Sequence, residues 1–211
     1  MTKQEIRSLI KNLLPKIDKD NKYHDRVVDA ACETVLNSMI GDYFNKESQN
    51  VDQFTKRYGD DTPLAVSHDT TTDIYYTTLP VGFVPLSDKA SGIRRVFTVQ
   101  SGGVMFYPMD AREFDLAKSS SYFYLLNDRI GYVVYPTKIE YFSMDDDIES
   151  AGVRMNIVTR FRDLLDTDVV GIPGDRTGDF TTAVLQYLGV IQPADLIDNN
   201  KSNVAPKQQQ Q

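Results

Sequence analysis

The sequence predicts an α+β protein: a small helical bundle of two N-terminal helices plus a C-terminal helix, with an inserted antiparallel β region and a disordered C-terminal tail. Three observations predict it. Apolar residues recur at helical spacing near both ends of the chain. The middle is rich in Thr, Val, Tyr and Phe, in short runs bounded by turn residues, and the last dozen residues lose apolar content and close on four glutamines. The expected division is residues 1–62 as the N-terminal helical part, 63–162 as the β-rich insertion, 163–197 as the return to the helical unit, and 198–211 as a flexible tail.

Thr2 followed by Glu5 fits a capping box, in which the hydroxyl accepts a free backbone N–H and the carboxylate reaches back to the cap residue. Ile6, Leu9, Ile10, Leu13 and Leu14 then form a narrow apolar stripe at helical spacing, which Pro15 ends. After a polar break, Tyr23, Val27, Val28, Ala31, Val35, Met39 and Ile40 line one side of a second helix, opposite Arg26, Asp29 and Glu33. It ends near Gly41 or runs on to Phe44. Cys32 falls within it, where a thiol packs as a small apolar group. Residues 45–62 are polar and read as a connector with one helical turn, anchored by Val51, Phe54 and Tyr58.

The candidate strands are residues 71–79, 93–100, 104–107, 121–126, 130–135 and 138–142. Ser101, Gly102 and Gly103 suit a tight turn for one hairpin, Asn127 and Asp128 suit a second, and residues 110–119 suit a helical turn between them. The stretch from residue 153 fits two templates. As a strand, Val153, Met155, Ile157, Thr159 and Phe161 share a face opposite Arg154, Asn156, Arg160 and Arg162, with only Val158 out of place; as a helix, Ile148, Ala151, Met155, Val158 and Leu165 align. The strand is favoured because Gly152 would weaken a helix interior. Residues 161–166 then turn helically. A last helix begins at Asp175 or Thr177, places Phe180, Val184, Tyr187 and Leu188 on one side, and ends at Gly189, a left-handed cap position. One apolar stripe does not hold a helix together alone in water, so this helix is expected to pack on the N-terminal pair.

A chain of 211 residues allows one domain or two small ones. Its 23 basic and 30 acidic side chains leave a net charge of −7, which excludes a polycation built to coat nucleic acid. The single cysteine permits neither an internal disulfide nor a thiolate zinc cluster, and the two histidines, His24 and His68, form no zinc motif. No apolar run approaches the ~20 residues of a membrane span, and the N-terminus lacks the apolar centre of a secretory signal, so a cytoplasm-like compartment is expected. Residues 1–60 balance 10 bases against 10 acids, whereas residues 145–179 hold nine acids against four arginines.

Within that acidic region Asp145, Asp146, Asp147 and Glu149 invite a calcium reading. It fails, because the sixth and twelfth loop positions hold Ser150 and Asn156 in place of glycine and glutamate, and the stretch reads as a solvated acidic loop. Gly171, Gly174 and Gly178 lack the Gly-Lys-Ser/Thr of a phosphate loop and the Gly-x-Gly of a dinucleotide loop, and no Gly-x-Ser-x-Gly elbow is present. No catalytic, cofactor or metal residues are assigned. The remaining signal is aromatic. Between residues 75 and 142 tyrosines and phenylalanines crowd the β region beyond what one sheet face buries, and adjacent pairs such as Tyr75 and Tyr76 point to opposite faces. Tyr75, Phe106, Tyr122, Tyr124, Tyr135 and Tyr141 are therefore candidate contacts with another subunit or partner. The competing explanation is two-layer sheet packing that uses both faces.

Residues 154–162 lead through Asp166-Thr-Asp168 to Val170-Gly-Ile-Pro173, then to a helix over residues 180–188, then to Pro193-Ala-Asp195 and Asp198-Asn-Asn200. This order, after a helical pair and a strand-rich middle, resembles the head-to-tail connector proteins (neck rings or adaptors) of tailed bacteriophages. It is similar to the podovirus tail-adaptor type and closest in flavour to ring proteins of crAss-like phages. Gly174-Asp-Arg-Thr-Gly178 departs from the short acidic turn of that pattern.

The resemblance implies a non-enzymatic virion component of the neck or tail, assembled in the host cytoplasm. It would form a homo-oligomeric ring, commonly a dodecamer, against the portal protein and other neck ring or tail proteins, with double-stranded DNA passing through unbound and no membrane involved. Carboxylates repel phosphate, so Asp145, Asp146, Asp147 and Glu149 are candidate linings of the passage. The alternative is a small-molecule or carbohydrate-binding β module with helical decoration, and a hydrolase using two remote carboxylates ranks below both.

Overall fold

A computed structural model describes residues 1–14, 23–46, 51–99, 104, 106–119, 129–142, 144, 146–172 and 176–190. Helix α1 (Lys3–Leu13) begins on the expected capping box: the Glu5 N–H donates to the Thr2 hydroxyl at 3.2 Å, and the Thr2 N–H donates to the Glu5 carboxylate at 2.8 Å. Its Ile6, Ile10 and the following Leu14 are buried. Helix α2 (Asp25–Lys46) runs on through Gly41 and so brings Phe44 into the core. Val27 was expected on the packed side. It is exposed, and Leu36 is buried in its place, while Cys32 is buried as expected.

The connector holds more than one helical turn. After a 3-10 turn at Asp52–Phe54, strand β1 (Thr55–Tyr58) forms from residues with no apolar alternation, because β8 (Val153–Val158) supplies its hydrogen bonds. β2 (Ser67–Asp69), β3 (Ile74–Thr78) and β4 (Ile93–Thr98) follow. Next come β5 (Phe106–Pro108), α3 (Ala111–Ser119), β6 (Ile130–Val134), β7 (Lys138–Phe142) and α4 (Asp146–Ala151). After β8 and a 3-10 turn at Phe161–Asp163 comes α5 (Thr177–Tyr187).

The strands form two sheets, β1-β8-β4 and β2-β3-β7-β6-β5. Two expectations fail here. β4 and β5 do not pair as the strands of one hairpin: they lie in different sheets, and β5 pairs with β6 in parallel, while the expected turn at residues 101–103 lies outside the described residues. The reason is α3, since parallel neighbours need a crossover and a helix supplies it; every other strand pair among the described residues is antiparallel. The second expected hairpin, at Asn127 and Asp128, lies outside the described residues. The acidic stretch expected to be a loop is helical over Asp146–Ala151. Gly152 ends that helix with φ +76°, and a Cβ there would sit 2.8 Å from the Leu64 carbonyl oxygen, which accepts the Val153 N–H.

Strand β8 settles the ambiguous stretch and explains its exception. Val153, Met155 and Ile157 are fully buried between the sheets, with Ile93 and Val96 of one and Ile130, Tyr132, Ile139 and Tyr141 of the other. Val158 points the other way, into a second core shared by α1, α2, α5, Phe54 and Phe161. In α5 the buried residues are Phe180, Val184 and Leu185; Tyr187, expected on the packed side, is exposed. The helix ends as expected at Gly189, φ +71°, with the Gly189 and Val190 N–H groups donating to the Gln186 and Leu185 carbonyls. The Tyr23 hydroxyl donates to the Leu188 carbonyl at 2.8 Å, tying α5 to the approach of α2. A third core lies under α3, where Phe114 and Ala117 cover Val133 and Phe142. The expected tail, residues 198–211, lies outside the described residues.

Candidate functional site

The segment after β8 folds back onto the start of α1. The Lys3 and Gln4 N–H groups, which a helix start leaves free, donate to the Asp168 and Asp166 carbonyls at 3.0 Å each, and the Val170 N–H donates to the Met1 carbonyl at 2.9 Å. Lys3 is 4% exposed. A buried ammonium needs partners, and it has them: it donates to the Arg162 and Leu164 carbonyls at 3.0 and 2.8 Å and lies 5.4 Å from the Phe161 ring centroid.

Asp168 closes the turn. Its carboxylate accepts the Leu165 N–H at 2.8 Å and the Lys56 ammonium at 2.6 Å, while its own N–H donates to the Leu165 carbonyl at 3.0 Å. Burial pushes this carboxyl up, but the bonds from Lys56 and Leu165 outweigh it and hold Asp168 below the usual carboxylate range. Arg7 joins Asp29 at 2.8 Å to Asp166 at 3.2 Å, and Arg162 reaches Glu33 of α2 at 2.6 Å. At the exit, a Cβ on Gly171 would meet the Gln53 carbonyl oxygen at 2.2 Å, so only glycine lets the chain pass there.

This pinned turn displays apolar side chains. Leu165 is 65% exposed and Val169 72%, and Met1, paired beside Val169 through the Thr2–Val169 bridge, is also exposed. A rigid loop has little freedom left to lose, so a partner can bury these side chains at small entropic cost. The cavity beneath it, lined by Leu36, Ile40, Phe54, Lys56 and Val170, measures about 20 Å³, room for a water molecule and no ligand. Sequence reading missed this surface. Its signal was the apolar pairs Leu164-Leu165 and Val169-Val170 on either side of a polar turn.

The aromatic candidates divide differently from the expectation. Tyr141 is 2% exposed and belongs to the core between the sheets, edge-on to Phe106 at 6.0 Å; burial pushes its phenol well above its ordinary value. Tyr75 stands opposite Tyr141 in the strand register and stacks on His68 at 4.3 Å, and Tyr135 packs against the α3 core. Tyr122 and Tyr124 lie outside the described residues. The structure thus uses Tyr141 in two-layer packing, and Tyr107 and Tyr187 are the exposed rings among the described tyrosines and phenylalanines.

Of the acidic candidates, Asp146, Asp147 and Glu149 lie in α4, and Asp145 lies outside the described residues. Asp166 and Asp168 are consumed in ion pairs with Arg7 and Lys56. Among the described residues no group of three His, Cys, Asp or Glu is placed to hold a metal ion. His68 lies 2.9 Å from Asp73, while the His24 carbonyl accepts the Val27 and Val28 N–H groups in the first turn of α2. Burial pushes the Cys32 thiol up to about 12, so it stays protonated at neutral pH. No helix of the described residues is long and apolar enough to cross a membrane.

In comparison with known proteins, the chain matches no family model and no curated relative.

Proposed function

We propose that this protein is a structural subunit without enzymatic activity, which assembles into a ring in the neck of a tailed phage and joins portal to tail. The observation that carries the reading is the pinned turn of residues 164–170, where hydrogen bonds from Lys3, Lys56 and the backbone hold Leu165 and Val169 out to solvent. Apolar side chains fixed in the open support a contact function, and copies in a closed ring must meet through two unlike surfaces. The same segment carries the Asp166-Thr-Asp168 motif on which the connector resemblance rests. In this reading α1, α2 and α5 form the bundle and the sheets form its insertion. The expected partners are the portal protein and neighbouring neck or tail rings, with a dodecamer the common copy number of such connectors.

The test is the mass of the full chain, measured alone and co-expressed with the portal protein of its own genome. A closed ring under either condition is the expected result. A single copy under both overturns the reading and favours a ligand-binding β module.

A further inference from the structure

The outer face of the β1-β8-β4 sheet is divided. At one end Val158 goes under the helical core; beyond it, the register aligns Arg57, Asn156 and Arg95 in one row and Arg154 and Phe97 in the next. A bulge between Ile93 and Arg95 takes Arg94 out of phase, where it binds Asp88 at 2.6 Å and lies over the Phe44 ring, and keeps Arg95 opposite Asn156. The inner face of β8, made by Val153, Met155 and Ile157, is wholly apolar.

The arginines are held as a set. The Arg57 Nε donates to the Asn156 side-chain oxygen at 3.3 Å, and the Arg57 guanidinium lies 5.5 Å from the Phe97 ring centroid. Asp60 stands 3.8 Å from Arg57 and 3.9 Å from Arg154, beyond hydrogen-bond reach, and Asp52 is 3.3 Å from Arg95. The Arg57 and Arg95 side chains are 53% and 60% exposed, so their N–H donors remain open to a partner. Like charges fixed side by side gain the fold nothing, whereas a planar, weakly hydrated guanidinium is the cation favoured at protein contacts.

The occupant follows from charge. The chain has a net charge of −7, and α4 carries Asp146, Asp147 and Glu149 with no basic residue in its six positions. Three arginines against two nearby aspartates leave a small positive balance. That suits a short acidic helix better than duplex DNA, with a phosphate charge every ~1.7 Å. We infer that the Arg57, Arg95 and Arg154 face docks the acidic helix α4 of a second copy of this chain. This rests on the ring reading and supplies it with one pair of unlike surfaces.

Two full-length variants test it: Arg57→Glu with Arg95→Glu, and Asp146→Lys with Asp147→Lys and Glu149→Lys. Light scattering on gel filtration, at low and high salt, should show each alone associating about tenfold or more weakly than the wild type, and their equimolar mixture recovering assembly. Arg57→Gln with Arg95→Gln, with an unchanged far-ultraviolet spectrum, should show a smaller loss in the same direction. Wild-type assembly that these variants leave intact overturns this inference and spares the ring. A wild type that is a single copy with and without portal overturns both. Binding of a labelled DNA duplex, lost in the arginine variants while assembly is unchanged, also overturns it and assigns the face to nucleic acid.

Discussion

The two sheets share one core and treat their outer faces differently. On the five-stranded sheet α3 covers one end of the outer face, over β6 and β7: Phe114 meets Phe142 edge-on at 6.1 Å, and Met109, Ala117 and Val133 are buried beside them, while Lys138, Glu140 and Tyr76 lie on the same face beyond the helix. On the three-stranded sheet the helices cover the outer face at Val158, and among the described residues Arg57 and Arg95 stand in solvent. The strands carry this difference themselves. β6, under α3, reads Ile-Gly-Tyr-Val-Val and is apolar on both faces, whereas β7 (Lys-Ile-Glu-Tyr-Phe) and β8 (Val-Arg-Met-Asn-Ile-Val) alternate until a last apolar residue that meets a helix. A face buried under a helix is a structural layer; one that presents arginines to solvent is available for contact.

Breaking the covered face should cost most. Phe114→Ala opens a cavity under α3 and is expected to lower stability by about 3–5 kcal/mol, read from the urea midpoint. Next comes overpacking of the same layer. A Cβ on Gly131 would lie 2.3 Å from the Met109 sulfur, so Gly131→Ala should cost about 1–3 kcal/mol, and less than the sum when combined with Met109→Ala.

The shared core can be probed by alkali. Burial raises Tyr132 and Tyr141 above the phenol's usual pKa, so the folded chain holds these protons more tightly than the unfolded one. Their contribution is complete below the unfolded value of about 10 and is lost as pH rises toward the folded value. Tyr141→Phe should therefore move the alkaline unfolding midpoint to higher pH, followed by circular dichroism. The open face should be nearly silent: Arg57→Ala and Arg95→Ala are expected to change stability by no more than about 0.5 kcal/mol in urea. A large loss at either arginine would make that face structural and erase the contrast.

Much of this was legible in the residues. The Thr2–Glu5 cap, the stripes of α1 and α5, the Gly189 stop, β4, β6, β7 and the strand character of β8 follow from local spacing, and local spacing is what a sequence displays. β1 was hidden because Thr-Lys-Arg-Tyr has no pattern of its own and is a strand only beside β8. The parallel pairing of β5 was hidden because Ser101, Gly102 and Gly103 would serve a hairpin equally well, and α3 decides otherwise. Tyr141 reads identically whether its ring is core or surface, since a tyrosine has an apolar body and a polar tip. The pinned turn was hidden for a different reason: its anchors, Lys3 and Lys56, come from distant parts of the chain.

By itself, the sequence determined which stretches could be helix or strand, the acidic balance, and the stock of one cysteine and two histidines, because composition and periodicity are local properties. Only the tertiary structure decided which faces were closed. That outcome depends on where α3 and the N-terminal helices come to rest, and it leaves Leu165, Val169 and a row of arginines as the surfaces turned outward.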